Sequence, residues 1–298
     1  MHSHRTTARR VLLLLLLGVF AGTTAAAASP GQGVPDLVFP VVGDVEYQDD
    51  FGAPRGQGPH EGNDILADWR APAVAVEDGK VHFYEGSYRA GCMLYLYGKS
   101  GTMYLYIHLN NDLTPNSEDE GGCVSGVAFA PGLEDGDKVR AGQLIGYVGD
   151  SGDAEGIHHH LHFEVHPHDG DAVSPFKYLG QAQPLLYAAP QNGESLTLAL
   201  YGTVASAEPG LLTLTLERLR GSDGSRTTIS RELVLAVPPE TTVERAGAKG
   251  RKTAALESAQ PGERVVVWTA EAPAALEAQA GQPGALQAAT VLYRGEAE

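Results

Sequence analysis

Seven residues near the middle of the chain alternate strictly: His160-Leu161-His162-Phe163-Glu164-Val165-His166. Side chains at i and i+2 of a strand share a face. The stretch therefore predicts a strand with Leu161, Phe163 and Val165 toward a core and His160, His162, Glu164 and His166 toward a polar site. His158 and His159 precede it, so spacing alone also allows a His158/His160 pair; the apolar neighbours at 161 and 163 favour His160/His162. Upstream, Pro59-His60-Glu61-Gly62-Asn63-Asp64 sets an imidazole and a carboxylate four residues apart, in a segment whose Pro and Gly predict a turn rather than a helix. Two histidines and one acid suffice for a catalytic zinc, which takes three protein ligands and leaves a fourth position for water. Structural zinc sites are closed and usually rich in Cys. With two cysteines in 298 residues, the open kind is the one available.

Residues 1–28 carry Arg5, Arg9 and Arg10, an apolar run from Val11 to Leu17 that continues to Phe20, and Ala26-Ala27-Ala28 before Ser29. This reads as a signal peptide cleaved after Ala28. A membrane-spanning helix needs about 20 consecutive apolar residues, and Gly22, Thr23 and Thr24 break the run, so a retained anchor is the lesser reading. After cleavage no stable membrane insertion is expected. The net charge of −16 becomes more negative once the three leader arginines leave, which argues against nucleic acid as a partner. Cys92 and Cys123 are an even pair in an exported chain, so a disulfide is expected in preference to two thiolate ligands.

The remaining organisation is read as a linker over 29–36, a first domain over 37–180, a linker over 181–192 and a second β domain over 193–298. Strands are expected at 73–76, 79–84, 92–97, 102–108, 138–140, 144–148 and 160–166, with no amphipathic helix among them. The fold class is mainly β: an antiparallel, small-barrel-like domain followed by a second small β-barrel of the OB kind, with strands at 196–204, 211–219, 227–237, 241–246, 264–271 and 288–293. Residues 110–137 form a long segment with Glu118-Asp119-Glu120, either an ordered flap tethered by the disulfide or a surface insertion. His and Cys are absent after His168. The second domain therefore offers no metal chemistry of that kind.

His60-x3-Asp64, then His108-Leu109, then His160-x-His162 resembles the M23 family of zinc metallopeptidases, lysostaphin-like endopeptidases that cut peptidoglycan peptides. The stretches Ala71 to Val81 and Val139 to Gly149 resemble the family's strand-turn and hairpin, so the likeness covers residues 37–179. It implies one Zn²⁺ per chain held by His60, Asp64 and His162, with His108 and His160 as catalytic partners. It also implies peptidoglycan stem or cross-bridge peptides as substrate and a secreted, extracytoplasmic, cell-wall-associated location. A His-Glu-x-x-His helix is absent, so Glu is not positioned as the base in the usual zincin manner; Glu164 is a candidate to orient a ligand. His158, His159, His166 and His168 read as surface or rim, and Tyr104 and Tyr106 as packing or cleft-lining residues. Asp153 and Glu155 lie in a loop expected to border the cleft, where they could select a cationic peptide. Two other readings are a non-catalytic wall-binding or hydrolase-activating module and, more remotely, a biotinyl/lipoyl-like carrier. Oligomeric state is not legible.

Overall fold

The computed structural model describes residues 33–56, 58–115, 119–190, 196–273 and 281–296. The expected leader, residues 29–32 and 191–192 of the two linkers, and Glu118 lie outside them. Among the described residues, no helix is long and apolar enough to cross a membrane.

The first half contains β1 (Val45–Tyr47), β2 (Pro54–Arg55), β3 (Gly58–Pro59), β4 (Asn63–Ala67), β5 (Pro72–Val74), β6 (Gly79–Ser87), β7 (Gly91–Gly98), β8 (Thr102–Leu109), β9 (Lys138–Val139), β10 (Leu144–Tyr147) and β11 (His160–Pro167). Seven of these form one sheet in the order β1-β4-β11-β8-β7-β6-β9, with every pairing antiparallel, and β10 pairs β5 in a second, two-stranded sheet. Each expected strand of this half is present, within one to three residues at its ends. The expected turn over 59–64 ends early, because Asn63 and Asp64 already belong to β4.

One face of the large sheet closes a core in which Leu161, Phe163, Val165, Tyr104, Tyr106 and Leu94 are fully buried. Burying such a side chain stabilises by roughly 1.5–3 kcal/mol. That face is therefore fixed and the opposite one is left for polar chemistry. Tyr104 and Tyr106 pack rather than line a cleft, and their hydroxyls donate to Glu77 Oε1 (2.7 Å) and the Val74 carbonyl (2.9 Å).

The 110–137 segment is neither a flap nor a surface insertion throughout. Ala128, Phe129 and Ala130 are buried in the core, and Phe129 stacks on Phe83 with ring centroids 3.9 Å apart. Cys92 and Cys123 are joined as a disulfide across 31 positions, with Cα atoms 5.2 Å apart. The described part of the connector, 181–190, is also anchored: Leu185, Leu186 and Tyr187 are buried, and Gln183 and Ala189 bridge to Val38 and Gln143.

The second half contains β12 (Leu198–Glu208), β13 (Leu211–Gly221), β14 (Arg226–Ala236), β15 (Thr242–Gly247), β16 (Gly250–Thr253), β17 (Glu263–Thr269) and β18 (Ala288–Glu296). They form one sheet in the order β14-β13-β12-β17-β18-β15-β16. Ala236 at the end of β14 makes a parallel bridge to Gln287, just before β18. The five strands β14, β13, β12, β17 and β18 thus curl toward closure as a partly open β-barrel. Its core is a cluster of its own, with Leu200, Leu212, Leu214, Leu235, Val267 and Tyr293 fully or almost fully buried, and it includes Leu186 and Tyr187 from the connector. The β16 strand has no counterpart in the sequence reading, because Gly250–Thr253 is exposed and carries no apolar alternation.

Candidate metal centre

The antiparallel register sets His162 of β11 opposite Asp64 of β4 on one side and Ile107 of β8 on the other. Opposite residues of an antiparallel pair place their side chains on the same face. Asp64 and His162 therefore meet on the face that the core does not use. His60 arrives from the loop before β4. Three donor atoms converge: His60 Nε2 lies 2.8 Å from His162 Nδ1 and 3.1 Å from Asp64 Oδ1, and His162 Nδ1 lies 3.0 Å from Asp64 Oδ1.

The far nitrogen of each ring decides what the near one offers. His60 Nδ1–H donates to the Asp50 carbonyl (3.0 Å), and His162 Nε2–H donates to Glu164 Oε1 (2.9 Å). Both acceptors lack a proton to give, so the neutral rings turn bare lone pairs toward each other and toward a carboxylate. Lone pairs 2.8 Å apart repel unless a cation sits among them. The spacing is close to the edge of about 3.3 Å spanned by a tetrahedral zinc with bonds of about 2.0–2.1 Å. The donor set therefore fits a zinc of the open, catalytic type.

The electrostatics agree. Burial opposes charge on His162, yet the hydrogen bonds to Asp64 and Glu164 push its pKa up to about 9, so its surroundings favour positive charge at this point. Burial likewise opposes ionisation of Asp64, but the His162 and His60 hydrogen bonds hold it far below the usual carboxylate range. Glu164, buried against its own desolvation cost, is held at about 2 by His162 and His166. Gly62 is required by close approach, since a Cβ there would lie 2.5 Å from the Phe163 carbonyl and 2.8 Å from His162 Nε2.

His108 and His160 line the same cleft, with ring centroids 5.1 Å apart. His108 Nδ1–H donates to the Ser151 carbonyl and His160 Nδ1–H to the His158 carbonyl, both at 2.8 Å. Each Nε2 is thereby left with its lone pair on the cleft side, where His160 Nε2 lies 3.9 Å from Asp64 Oδ1. Simple alternation along β8 would put His108 on the core face with Tyr104 and Tyr106. It reaches the cleft because the register slips between Cys92 and Leu94 and because its own φ is +60°. Positive φ is uncommon for a residue with a Cβ, costs of order 1–3 kcal/mol and clusters at functional sites. Burial, followed by the neighbouring His160, lowers the His108 pKa to about 4.

The cleft encloses about 550 Å³ and is also lined by Arg55, Arg89, Leu66, Ile107 and Ile157. The sequence reading did not single out Asp50, Arg55, Asn63 or Ser151. Asn63 Nδ2 donates to Asp50 Oδ1 (2.7 Å) and steadies the loop that holds His60, Arg55 Nη2 donates to Asp64 Oδ2 (2.7 Å), and Ser151 orients His108. Asn63 sits inside the Pro59–Asp64 motif and Ser151 in the loop expected to border the cleft, so both were within reach; Asp50 and Arg55 come from a segment with no motif of its own. His158 lines the cleft rim, His166 hydrogen-bonds Glu164 Oε2 (2.7 Å), and Asp153 Oδ1 lies 3.9 Å from His108 Nε2.

Fold and site together define an antiparallel β protein with a buried His/His/carboxylate centre backed by two further imidazoles. The resemblance noted in the sequence holds: the model of peptidase family M23 matches residues 122–175, a stretch that includes His160 and His162. Among solved structures, it is similar to LytM of Ruminococcus gnavus (25% identity, TM-score 0.40), covering 51% of this chain and 64% of that one. It is similar to the catalytic domain of the antimicrobial peptidase lysostaphin from Staphylococcus simulans (25% identity, TM-score 0.35; 46% and 92% covered). A zinc-containing peptidase from Vibrio cholerae is also similar (24% identity, TM-score 0.34; 47% and 39% covered). The chain thus spans about two thirds or less of LytM and of the Vibrio protein.

Proposed function

We propose that this chain is an exported zinc metalloendopeptidase that hydrolyses peptide bonds of bacterial peptidoglycan, with one Zn²⁺ held by His60, Asp64 and His162. The observation that carries the reading is the convergence of two imidazole lone pairs and a carboxylate oxygen within 3.1 Å, each imidazole fixed from behind by an acceptor. A zinc ion bound there acts as a Lewis acid and lowers the pKa of water toward about 7. His108 and His160 present unprotonated Nε2 atoms to the cleft, so either can take a proton from an attacking water and return it to the leaving amine. Once charged, the same imidazole is placed to stabilise a developing oxyanion. Arg55 neutralises the outer oxygen of Asp64, and the disulfide suits an oxidising compartment.

We assign residues 37–180 to the peptidase domain and 193–298 to a separate barrel whose role is open, because each half has its own sheet and its own core cluster. A purely wall-binding or activating module would leave the three facing lone pairs without a use. Purified protein incubated with peptidoglycan should release new peptide termini, detected by mass spectrometry. Release should stop with a zinc chelator and in Asp64→Ala or His60→Ala. Full cleavage by either variant, or by chelated enzyme, would end the proposal.

A further inference from the structure

A second cluster lies away from the catalytic centre, where residues 110–112 meet the loop that precedes β11. We propose that Asp112 and Asp150, preceded by Asn110 and Asn111 and flanked by His159, form an all-oxygen binding site for a hard divalent cation of the calcium class, joining these two segments beside the cleft.

The donor atoms of the three residues all lie within 4.8 Å of one another. Asp112 and Asp150 are only 2% and 6% exposed. Two carboxylates removed from water need compensation by hydrogen bonds or by positive charge. Among the described residues, Asp112 Oδ1 accepts from the Asp119 backbone N–H at 2.9 Å. Asp150 Oδ1 is buried and has none, and His159 Nε2 stands 3.9 Å from Asp150 Oδ2, beyond hydrogen-bond reach. The shortage extends to the residues before Asp112. The amide oxygens of Asn110 and Asn111 are also buried without donors, while the Asn110 side-chain N–H groups donate to the Asp112 and Val127 carbonyls. Among the described residues, four buried side-chain oxygens lack a partner, and three of them belong to Asn110, Asn111 and Asp150.

Buried acceptors in surplus, with no arginine or lysine paired to Asp112 or Asp150 among the described residues, call for a cation. Asp119 and Glu155 add charge at the rim: desolvation together with Asp119, Asp150 and Asp112 raises the Glu155 pKa to about 7, and burial raises that of Asp112. Carboxylate and amide oxygens suit Ca²⁺, which accepts 6–8 oxygen ligands at about 2.3–2.6 Å. An all-oxygen donor set matches an ion of the calcium class better than zinc, which prefers imidazole and thiolate.

The position gives the site its consequence. The two segments touch through backbone, since a Cβ on Gly149 would lie 2.3 Å from the Asn110 Cα. Asp150 precedes Ser151, whose carbonyl fixes the His108 tautomer and whose Oγ accepts from the Cys92 N–H and donates to the Leu109 carbonyl. A cation on Asp150 would hold Ser151, and through it His108, in place. That last link rests on the proposed peptidase function; the binding site itself does not.

The test uses the full chain carrying zinc, with Ca²⁺ titrated by calorimetry and by thermal unfolding. One calcium per chain should bind in addition to zinc, and saturation at about 100 times Kd should raise Tm by roughly 5–10 °C. Asp150→Asn, which keeps shape and removes charge, should lose both the heat and the shift, whereas His60→Ala should keep them. No calcium binding up to roughly 10 mM, an order of magnitude above the weakest extracellular calcium modules, would overturn the site. So would an undiminished response in Asp150→Asn, or displacement of calcium from this site by equimolar Zn²⁺. Should Asp150→Asn not fold, the titration of the unmodified protein decides alone. Calcium binding with no effect on peptidase turnover would refute the link to His108, and failure of the His60→Ala variant to cut peptidoglycan bears only on the catalytic centre.

Discussion

Replacing Glu164 by Ala removes the acceptor that makes His162 point its Nδ1 lone pair into the metal centre. The bond is 2.9 Å long and buried, and Glu164 is held ionised by it and by the 2.7 Å hydrogen bond from His166. A charge-assisted hydrogen bond of this kind contributes about 1.5–3 kcal/mol. Loss of an outer partner of a metal-bound histidine costs about 10–100-fold in affinity, or about 1.4–2.7 kcal/mol. The two routes agree, so the zinc dissociation constant of Glu164→Ala should rise 10–100-fold. Competition against a chromophoric chelator near pH 7.5 measures it, with circular dichroism to establish that the sheet is intact. Glu164→Gln separates tautomer from charge: its Oε1 still accepts from Nε2–H, so its loss should stay below about 10-fold. A folded Glu164→Ala that binds zinc within twofold of the unmodified chain would show that the second carboxylate does not set the ligand, and the argument from facing lone pairs would fail.

Other outcomes follow from single observations. Stability of the metal-free protein should decline as pH falls from about 6.5 to about 4, because His108 is neutral when folded and takes up a proton only on unfolding in that window. The loss reaches about 3 kcal/mol, and His108→Gln should flatten that limb of a urea-denaturation series; an identical slope in the variant would dismiss the assignment. Joint replacement of Cys92 and Cys123 by Ala should cost about 3–4 kcal/mol for the 31-position loop, read as a lowered Tm, and a drop of under about 1 kcal/mol would contradict it. Gly62→Ala should weaken zinc binding while leaving the barrel core intact, since its Cβ would press on His162 and the Phe163 carbonyl; unchanged zinc titration would show that the loop yields.

Much of the architecture was legible because it depends on local pattern. Alternation in 160–166 fixed which side chains face the core, and all seven strands expected in the first half are there, since burying Leu161, Phe163 and Val165 on one face is the dominant energetic demand. The cysteine pair was readable from its even count and the leader that the sequence leads one to expect. The 110–137 segment was misread because Ala128, Phe129 and Ala130 carry no periodicity, and their burial depends on Phe83 and on strands distant in sequence.

The sequence by itself determined which groups exist to hold a cation and that His162 shares a strand face with His160. Tertiary structure alone decided that Asp64 lies across from His162, because register is a property of two strands in contact and not of either. It also decided that His108 leaves the core face. Alternation assigns that residue to the interior, and only the slipped register of β7 and β8 with a positive φ turns the ring into the cleft, a backbone distortion that the surrounding packing holds in place.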